Sequence, residues 1–216
     1  DLNKEAEERI YEGETPGVSY GDIAERYYTV GQYMKEVKDV SKAMAAAGDS
    51  YICDEYLNAM GSPEAESVYV LHDLNNDGIE EFFIGLKFNY DIPYYVIYDV
   101  YTWKDGRAYQ LMRGIGYRNG SCKICENGVI EDNYSGSAWD GQTLYHILPE
   151  GGIELETIDS VSSRRDGTVQ SYYHWNELID ENSLQTILEQ YQPESVTYVD
   201  CNRETIEQLR LSGIRK

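Results

Sequence analysis

The sequence predicts an α+β fold: an antiparallel β-meander with a long N-terminal helix packed on it and C-terminal helices after it. Three observations carry this. Apolar residues recur at helical spacing from Tyr20 onward. Turn dipeptides then punctuate Val68 to His174 at intervals of a strand plus its turn. The helical period returns after Trp175. A chain of 216 residues is long enough to bury its own core, and the expected organisation is a flexible leader over 1–19 followed by a single α+β domain over 20–216. Within that domain the helices are expected over 20–60, the meander over 66–175 and the C-terminal helices over 181–213.

Each element has a local reason. Ile23, Tyr27, Val30, Met34, Val37 and Met44 follow steps of three and four, so they share one helix face. Ser19 with Asp22 makes a start resembling a capping box, and Gly48 is a stop, which predicts one helix from Tyr20 to Ala47. A shorter helix near Ser50 to Met60 ends at Gly61-Ser62-Pro63. The pairs Asp105-Gly106, Asn119-Gly120, Asn127-Gly128, Asp140-Gly141, Gly151-Gly152 and Asp166-Gly167 all suit the positive φ angles of two-residue hairpins. Strict alternation would place Tyr94, Val96, Tyr98 and Val100 on one face and Tyr95, Ile97, Tyr101 and Trp103 on the other. With apolar residues on both faces, part of the sheet is expected to be covered on both sides, one of them by the long helix. Leu184, Ile187, Leu188 and Tyr191 mark a helix from about Ser183 that stops before Pro193. An extended Val196 to Val199 then leads to a last helix near Arg203 to Leu211.

Composition excludes some functions. Asp and Glu number 39 against 18 Lys and Arg, a net charge of -21. Such a chain repels a phosphate backbone, because nucleic-acid affinity comes largely from cationic side chains displacing counterions, so nucleic acid is not an expected partner. A hydrophobic content of 41% is too high for a disordered acidic segment. No stretch approaches the roughly 18 consecutive apolar residues of a membrane-spanning helix. The opening Asp-Leu-Asn-Lys-Glu has no secretion signal, so any such signal is expected to have been removed before it.

Cys122 and Cys125 form a C-x-x-C flanked by Asn119-Gly120 and Asn127-Gly128, which puts them on a short strand. A thioredoxin-like pair needs a helix N-terminus and a zinc knuckle needs a second pair, and neither is present. In an exported protein at least one disulfide is expected. Cys122 and Cys125, at i and i+3 on a strand, point to opposite faces and are the less expected pair; Cys53 with Cys201 would tie the two helical ends together, and the pairing among the four stays open.

One segment carries chemistry. Asp73-Leu74-Asn75-Asn76-Asp77-Gly78-Ile79-Glu80-Glu81 fits D-x-[DN]-x-D-G-x-x-E. Calcium takes six to eight hard oxygens, and alternate residues of a tight loop turn theirs inward. Asp73, Asn75 and Asp77 would supply side-chain oxygens, Ile79 its carbonyl, and Glu81 a carboxylate directly or through water. Gly78 permits the turn. The twelfth position is Ile84 where an EF-hand has Glu, and the flanks Ser67 to Leu71 and Glu81 to Gly85 read as strands, so the loop joins two strands. This loop resembles the calcium-binding hairpins of FG-GAP and VCBS repeats. More broadly, a helix leading into "YVLHDLNNDGIEEFFIG", then "YTWKDGRAYQL", then a late capped helix resembles secreted or lipoprotein-type proteins of unknown function from Gram-positive gut bacteria, over about residues 20 to 192. That resemblance implies export and offers no catalytic residues. An FG-GAP propeller repeats its loop, and this chain has it once.

Other constellations fall short. His72, His146 and His174 form no H-E-x-x-H and no i, i+4 pair on a helix. Gly114-Ile115-Gly116 misses the dinucleotide-binding spacing, and no nucleophile elbow occurs. With 39 acids, composition alone cannot argue for a glycosidase pair. The 21 tyrosines, with Trp103, Trp139 and Trp175, suit strands first. A carbohydrate- or peptide-binding face among them is the alternative, with Asp132 to Gly141 the first loop to inspect. The expected function is a non-catalytic, extracellular or cell-envelope module stabilised by one Ca2+. The alternatives are a carbohydrate- or peptide-binding module with exposed Tyr and Trp, and a hydrolase with a cryptic site.

Overall fold

A computed structural model describes residues 10–14, 19–47, 52–116, 122–135, 139–149, 152–162, 169–175 and 177–212. The fold is α+β, with five helices and two antiparallel sheets among the described residues. Contacts divide the chain into two compact units. One comprises Arg9–Asp73, Gly78–Ile115 and Val196–Lys216; the other comprises Asp1–Glu8, Leu74–Asp77 and Gly116–Ser195. The strands expected as one meander over 66–175 are divided between two six-stranded sheets, which also take in strands from outside that range.

The first unit holds β1 (Ile10–Glu14), α1 (Tyr20–Val37), α2 (Val40–Ala47), α3 (Asp54–Met60), β2 (Ala65–His72), β3 (Glu81–Phe88), β4 (Tyr94–Lys104), β5 (Arg107–Arg113), β12 (Val199–Asp200) and α5 (Arg203–Ser212). Its sheet runs β1-β5-β4-β3-β2-β12. Residues 10–14 of the expected leader are therefore a strand, paired to β5 with Glu14 opposite Tyr109. Backbone pairing satisfies donors and acceptors along β5 without needing an apolar pattern in the added strand.

α1 begins as read. Ser19 Oγ accepts the Asp22 N–H at 3.2 Å, and Asp22 Oδ2 accepts the Ser19 N–H at 3.1 Å. The helix expected to continue to Ala47 stops at Val37 instead, because Lys38 is left-handed at φ 52 and its N–H closes on the Met34 carbonyl. Asp39 then caps α2 by accepting the Lys42 N–H at 3.1 Å. Tyr20, Ile23, Ala24, Tyr27, Val30 and Met34 are buried with Tyr56, Leu57 and Met60 of α3 against one face of the sheet. In the same unit Arg210 of α5 pairs with Asp22 and Glu25 of α1.

The strict alternation expected along β4 fails at one point. Ile84 faces Asp99 and Gly85 faces Ile97, so Tyr98 is an extra residue, a β-bulge. Gly85 sits in the narrow part: a Cβ there would run into the Val96 carbonyl. The bulge resets the alternation, so Val96, Tyr98 and Tyr101 all join the helical core and Trp103 packs against it. Asp99 is swung to the same side, where it meets Tyr27 of α1. Val70, Phe83, Ile97 and Val100 are buried outside that cluster, so the sheet is buried on both faces.

The second unit holds β6 (Cys122–Cys125), β7 (Val129–Ser135), β8 (Trp139–Ile147), β9 (Ile153–Ser162), β10 (Val169–His174), β11 (Glu177–Ile179) and α4 (Glu181–Leu188), in strand order β11-β10-β9-β8-β7-β6. The C-x-x-C lies on a short strand as expected. Asn127-Gly128 takes the expected left-handed pair, φ 64 and 77, and Asp105-Gly106 in the first unit does so too. Asp140-Gly141 does not turn. Both residues lie inside β8, paired to Ser135 and Tyr134 on one side and to Ser160 and Asp159 on the other. Two-sided pairing overrides a local turn preference. Asn119-Gly120 and Asp166-Gly167 lie outside the described residues. Leu184 of α4 packs with Cys125, Val129, Leu144 and Ile158, which makes the helix-covered face of this sheet.

All four cysteines are free and buried, so the expected disulfide, including Cys53 with Cys201, is absent. Cys201 Sγ instead meets the Ala24 carbonyl at 3.5 Å.

Candidate functional site

The β2–β3 connection carries the calcium-type motif. His72 and Glu81 are the last cross-strand pair of β2 and β3, so the ladder delivers the chain into the loop and out of it at one place. Asn76 and Gly78 are left-handed, φ 59 and 87, which folds the loop back on itself. Asp73 Oδ2 accepts the Gly78 N–H at 3.0 Å and Asn75 Oδ1 accepts the Asp77 N–H at 3.2 Å. Asn75 Nδ2 donates to Asp77 Oδ2 at 3.2 Å and to the Leu148 carbonyl at 3.2 Å. The oxygens of Asp73 and Asn75 are therefore turned into the loop.

Glu81 is placed differently. It is buried on the sheet face away from the helices, and its Oε1 accepts the Thr102 hydroxyl at 3.0 Å. The loop thus turns side-chain oxygens of Asp73 and Asn75 inward onto backbone N–H groups, while Glu81 is engaged by its neighbour strand. Among the described residues no group of three or more His, Cys, Asp or Glu side chains is drawn together as a metal cluster. Oxygen from the Ile79 carbonyl and from water would have to complete the six to eight ligands that calcium takes.

A second constellation, missed in the sequence, lies in the other unit. On the helix-covered face of its sheet, Glu156 receives three hydrogen bonds. His146 Nε2 lies 2.9 Å from Oε2, His174 Nε2 lies 2.6 Å from Oε1, and the Tyr191 hydroxyl donates to Oε2 at 2.6 Å. An ionised carboxylate has no proton to give, so both imidazoles donate through Nε2. Burial pushes the Glu156 carboxyl up, but the hydrogen bonds from His146, Tyr191 and His174 outweigh it and hold it down to about 2. Held ionised in this way, Glu156 has no proton to donate near neutral pH and serves as an acceptor of all three hydrogen bonds. The two Nε2 atoms address different oxygens of one carboxylate, an arrangement for holding charge and orienting rings. The same phenol feels its partner: burial and the Glu156 carboxylate push Tyr191 well up.

Asp99 makes a third polar centre, fully buried in the first unit. It accepts the Tyr27 hydroxyl at 2.6 Å and the Gly114 N–H at 3.0 Å. Tyr101 continues the chain, its hydroxyl 2.7 Å from that of Tyr27 and accepting from Gln110 Nε2 at 3.1 Å. Burial raises the Asp99 carboxyl to about 6, against the lowering pull of the Tyr27, Gly114 and Cys53 hydrogen bonds.

Asp132 to Gly141, the loop singled out for the alternative of an aromatic binding face, is mostly strand, in β7 and β8, with 136–138 outside the described residues. Trp103 is half-buried and Trp175 is exposed. No helix among the described residues is long and apolar enough to cross a membrane. No protein-family model matches the chain, and no curated protein or solved structure matches it. The class defined by fold and sites is therefore an α+β protein of two antiparallel sheets, and its function is argued from its own residues.

Proposed function

We propose that this chain is a non-catalytic module of the cell envelope or extracellular space whose β2–β3 loop takes one calcium ion. The observation that carries the reading is the inward turn of Asp73 and Asn75 around a loop with left-handed Asn76 and Gly78. The carboxylates of Asp73 and Asp77 fall within five residues of one tight loop, on a chain at net charge -21. A divalent cation relieves their mutual repulsion, so it should favour the folded state. The resemblance of the loop to FG-GAP and VCBS hairpins supports the same ion, and that of the longer stretch to secreted or lipoprotein-type proteins supports the compartment.

Thermal unfolding in millimolar calcium against chelator tests the metal. Extracellular sites commonly bind at roughly 0.1 to 1 mM, so millimolar calcium should add about 1 kcal/mol and raise the melting temperature by a few degrees. Asp77→Ala should remove the difference. Identical wild-type melting curves with calcium and with chelator would overturn the metal reading.

A further inference from the structure

The β3–β4 turn of the first unit carries two tyrosine rings, Tyr90 and Tyr94, that lie outside the core cluster, beside Phe88, which lies in it. Phe88 and Tyr94 are the last cross-strand pair of that ladder, and their rings stack with centroids 4.8 Å apart and planes 15° apart. Tyr90, beyond the ladder, lies parallel to both, 6.3 Å from Phe88 at 2° and 5.9 Å from Tyr94 at 15°. Those three distances close a triangle. A column of three rings would put its ends about two stacking distances apart, so the rings share an orientation and are offset from one another, with Phe88 covering part of one face of Tyr94. Phe88 is buried and anchors the group, while Tyr90 is 51% and Tyr94 47% exposed. Every residue from Asn89 to Tyr95 is exposed. The turn is nonetheless held: the Asn89 N–H donates to the Glu64 carbonyl at 3.0 Å, and Pro93 restricts the backbone just before Tyr94. On the neighbouring position Tyr95 stacks on Tyr198 at 4.0 Å, which stiffens the start of β4.

The chemistry of this patch selects its occupant. Parallel, hydroxyl-bearing rings on a held turn present flat π faces with polar rims. Asn89 and Asp91, both exposed in the same turn, offer an amide and a carboxylate for ligand hydroxyls. Phe88 to Tyr95 contains no Lys or Arg, and the whole chain is at -21, so an anionic polymer is repelled. A ligand with a flat C–H face, many hydroxyls and no negative charge satisfies all of these at once. We propose that the Tyr90–Tyr94 platform binds a neutral glycan chain, one sugar ring lying on the tyrosine faces with its hydroxyls toward Asn89 and Asp91. This does not depend on the calcium loop.

The test uses the full chain with cellohexaose, laminarihexaose and mannohexaose, each titrated calorimetrically once in calcium and once in chelator. At least one hexasaccharide should bind, and Tyr90→Ala and Tyr94→Ala should each weaken it about tenfold or more, the loss typical of a hot-spot aromatic. Both sites are exposed, so unchanged circular dichroism should accompany the loss. Trp175→Ala, an exposed ring elsewhere, should leave affinity unaltered. Three outcomes overturn the proposal: no hexasaccharide binds at millimolar concentration; binding survives in the Tyr90→Ala/Tyr94→Ala double variant; or that double variant abolishes instead a self-association or a binding to neutral phosphatidylcholine vesicles. Binding in chelator with no calcium effect on melting would keep this inference and sink the metal reading, so the two fail separately.

Discussion

His174 Nε2 stands 2.6 Å from Glu156 Oε1, across the ladder between β10 and β9. The contact is diagonal: His174 pairs with Ile158, and Glu156 is two residues further along the same face. His146 reaches the same carboxylate from the opposite flank, where Glu156 pairs with Leu144. One side chain thus ties three strands, and through Tyr191 it also holds the segment that follows α4.

That arrangement sets a pH dependence. The folded Glu156 titrates near 2 against an ordinary value of 4.5, so its ionised form is the one folding favours. Its stabilisation is complete above about 4.5 and is lost as pH falls through about 2. The shift corresponds to no more than about 3 kcal/mol. Glu156→Gln should therefore lose about 1 to 3 kcal/mol in urea unfolding at pH 7 and far less at pH 2.5. An equal loss at both pH values would show that the carboxylate charge is not what the fold uses.

Asp99 behaves in the opposite sense. Its folded value of about 6 lies above the ordinary 3.8, so the fold favours the protonated form. Stability from this group is greatest below about 4, declines through about 6 and is absent above that. Asp99→Asn keeps an acceptor for the Gly114 N–H and cannot ionise. The stability difference between variant and wild type should move in the variant's favour by about 2 to 3 kcal/mol between pH 4 and pH 8. Subtracting the two profiles cancels the other acids, and a flat difference would place the Asp99 titration elsewhere.

Gly78 separates backbone strain from packing. At φ 87 nothing lies within 4 Å of a Cβ added there. Gly78→Ala should cost about 1 kcal/mol or slightly more from the left-handed backbone alone. It should also weaken any calcium effect on melting, since the Gly78 N–H holds Asp73. Gly78→Asn, which tolerates that conformation better, should recover part of the loss.

The cysteines give a direct count. Cys53, Cys122, Cys125 and Cys201 are all free and buried, and burial pushes the Cys125 thiol up to about 11 and Cys201 up to about 12. Native protein should react slowly with iodoacetamide at pH 8, because little thiolate is present. In denaturant without reductant, intact mass should show four alkylated thiols. Two or fewer would restore the disulfide.

What was legible in the sequence was local. The Ser19–Asp22 cap, the Tyr20 start, the helix ending before Pro193, the strand placement of Cys122 and Cys125, and the Asn75-to-Gly78 turn all follow from interactions within a few residues. The α+β class followed from the two hydrophobic periods. Even the Lys38 break had a signal, since Asp39 is a good N-cap.

What only the tertiary structure decided depends on register between segments far apart in the chain. The sequence carries a turn signal, Gly151-Gly152, between the segments that form β8 and β9, so the meeting of His146 with Glu156 was in principle readable. His174 required the register of a third strand, and Tyr191 the path of the chain after α4. The Tyr98 bulge is of the same kind. It shifts one residue of β4 past β3, and because strand side chains alternate with period two, that single slip carries Asp99 and Tyr101 to the helix side. Division into two sheets and the pairing of Asp140-Gly141 on both sides within β8 are likewise outcomes of cross-strand pairing. Sequence patterns encode which face a short segment wants to bury, but the free energy of pairing belongs to two strands at once, and only the folded chain brings both to the same place.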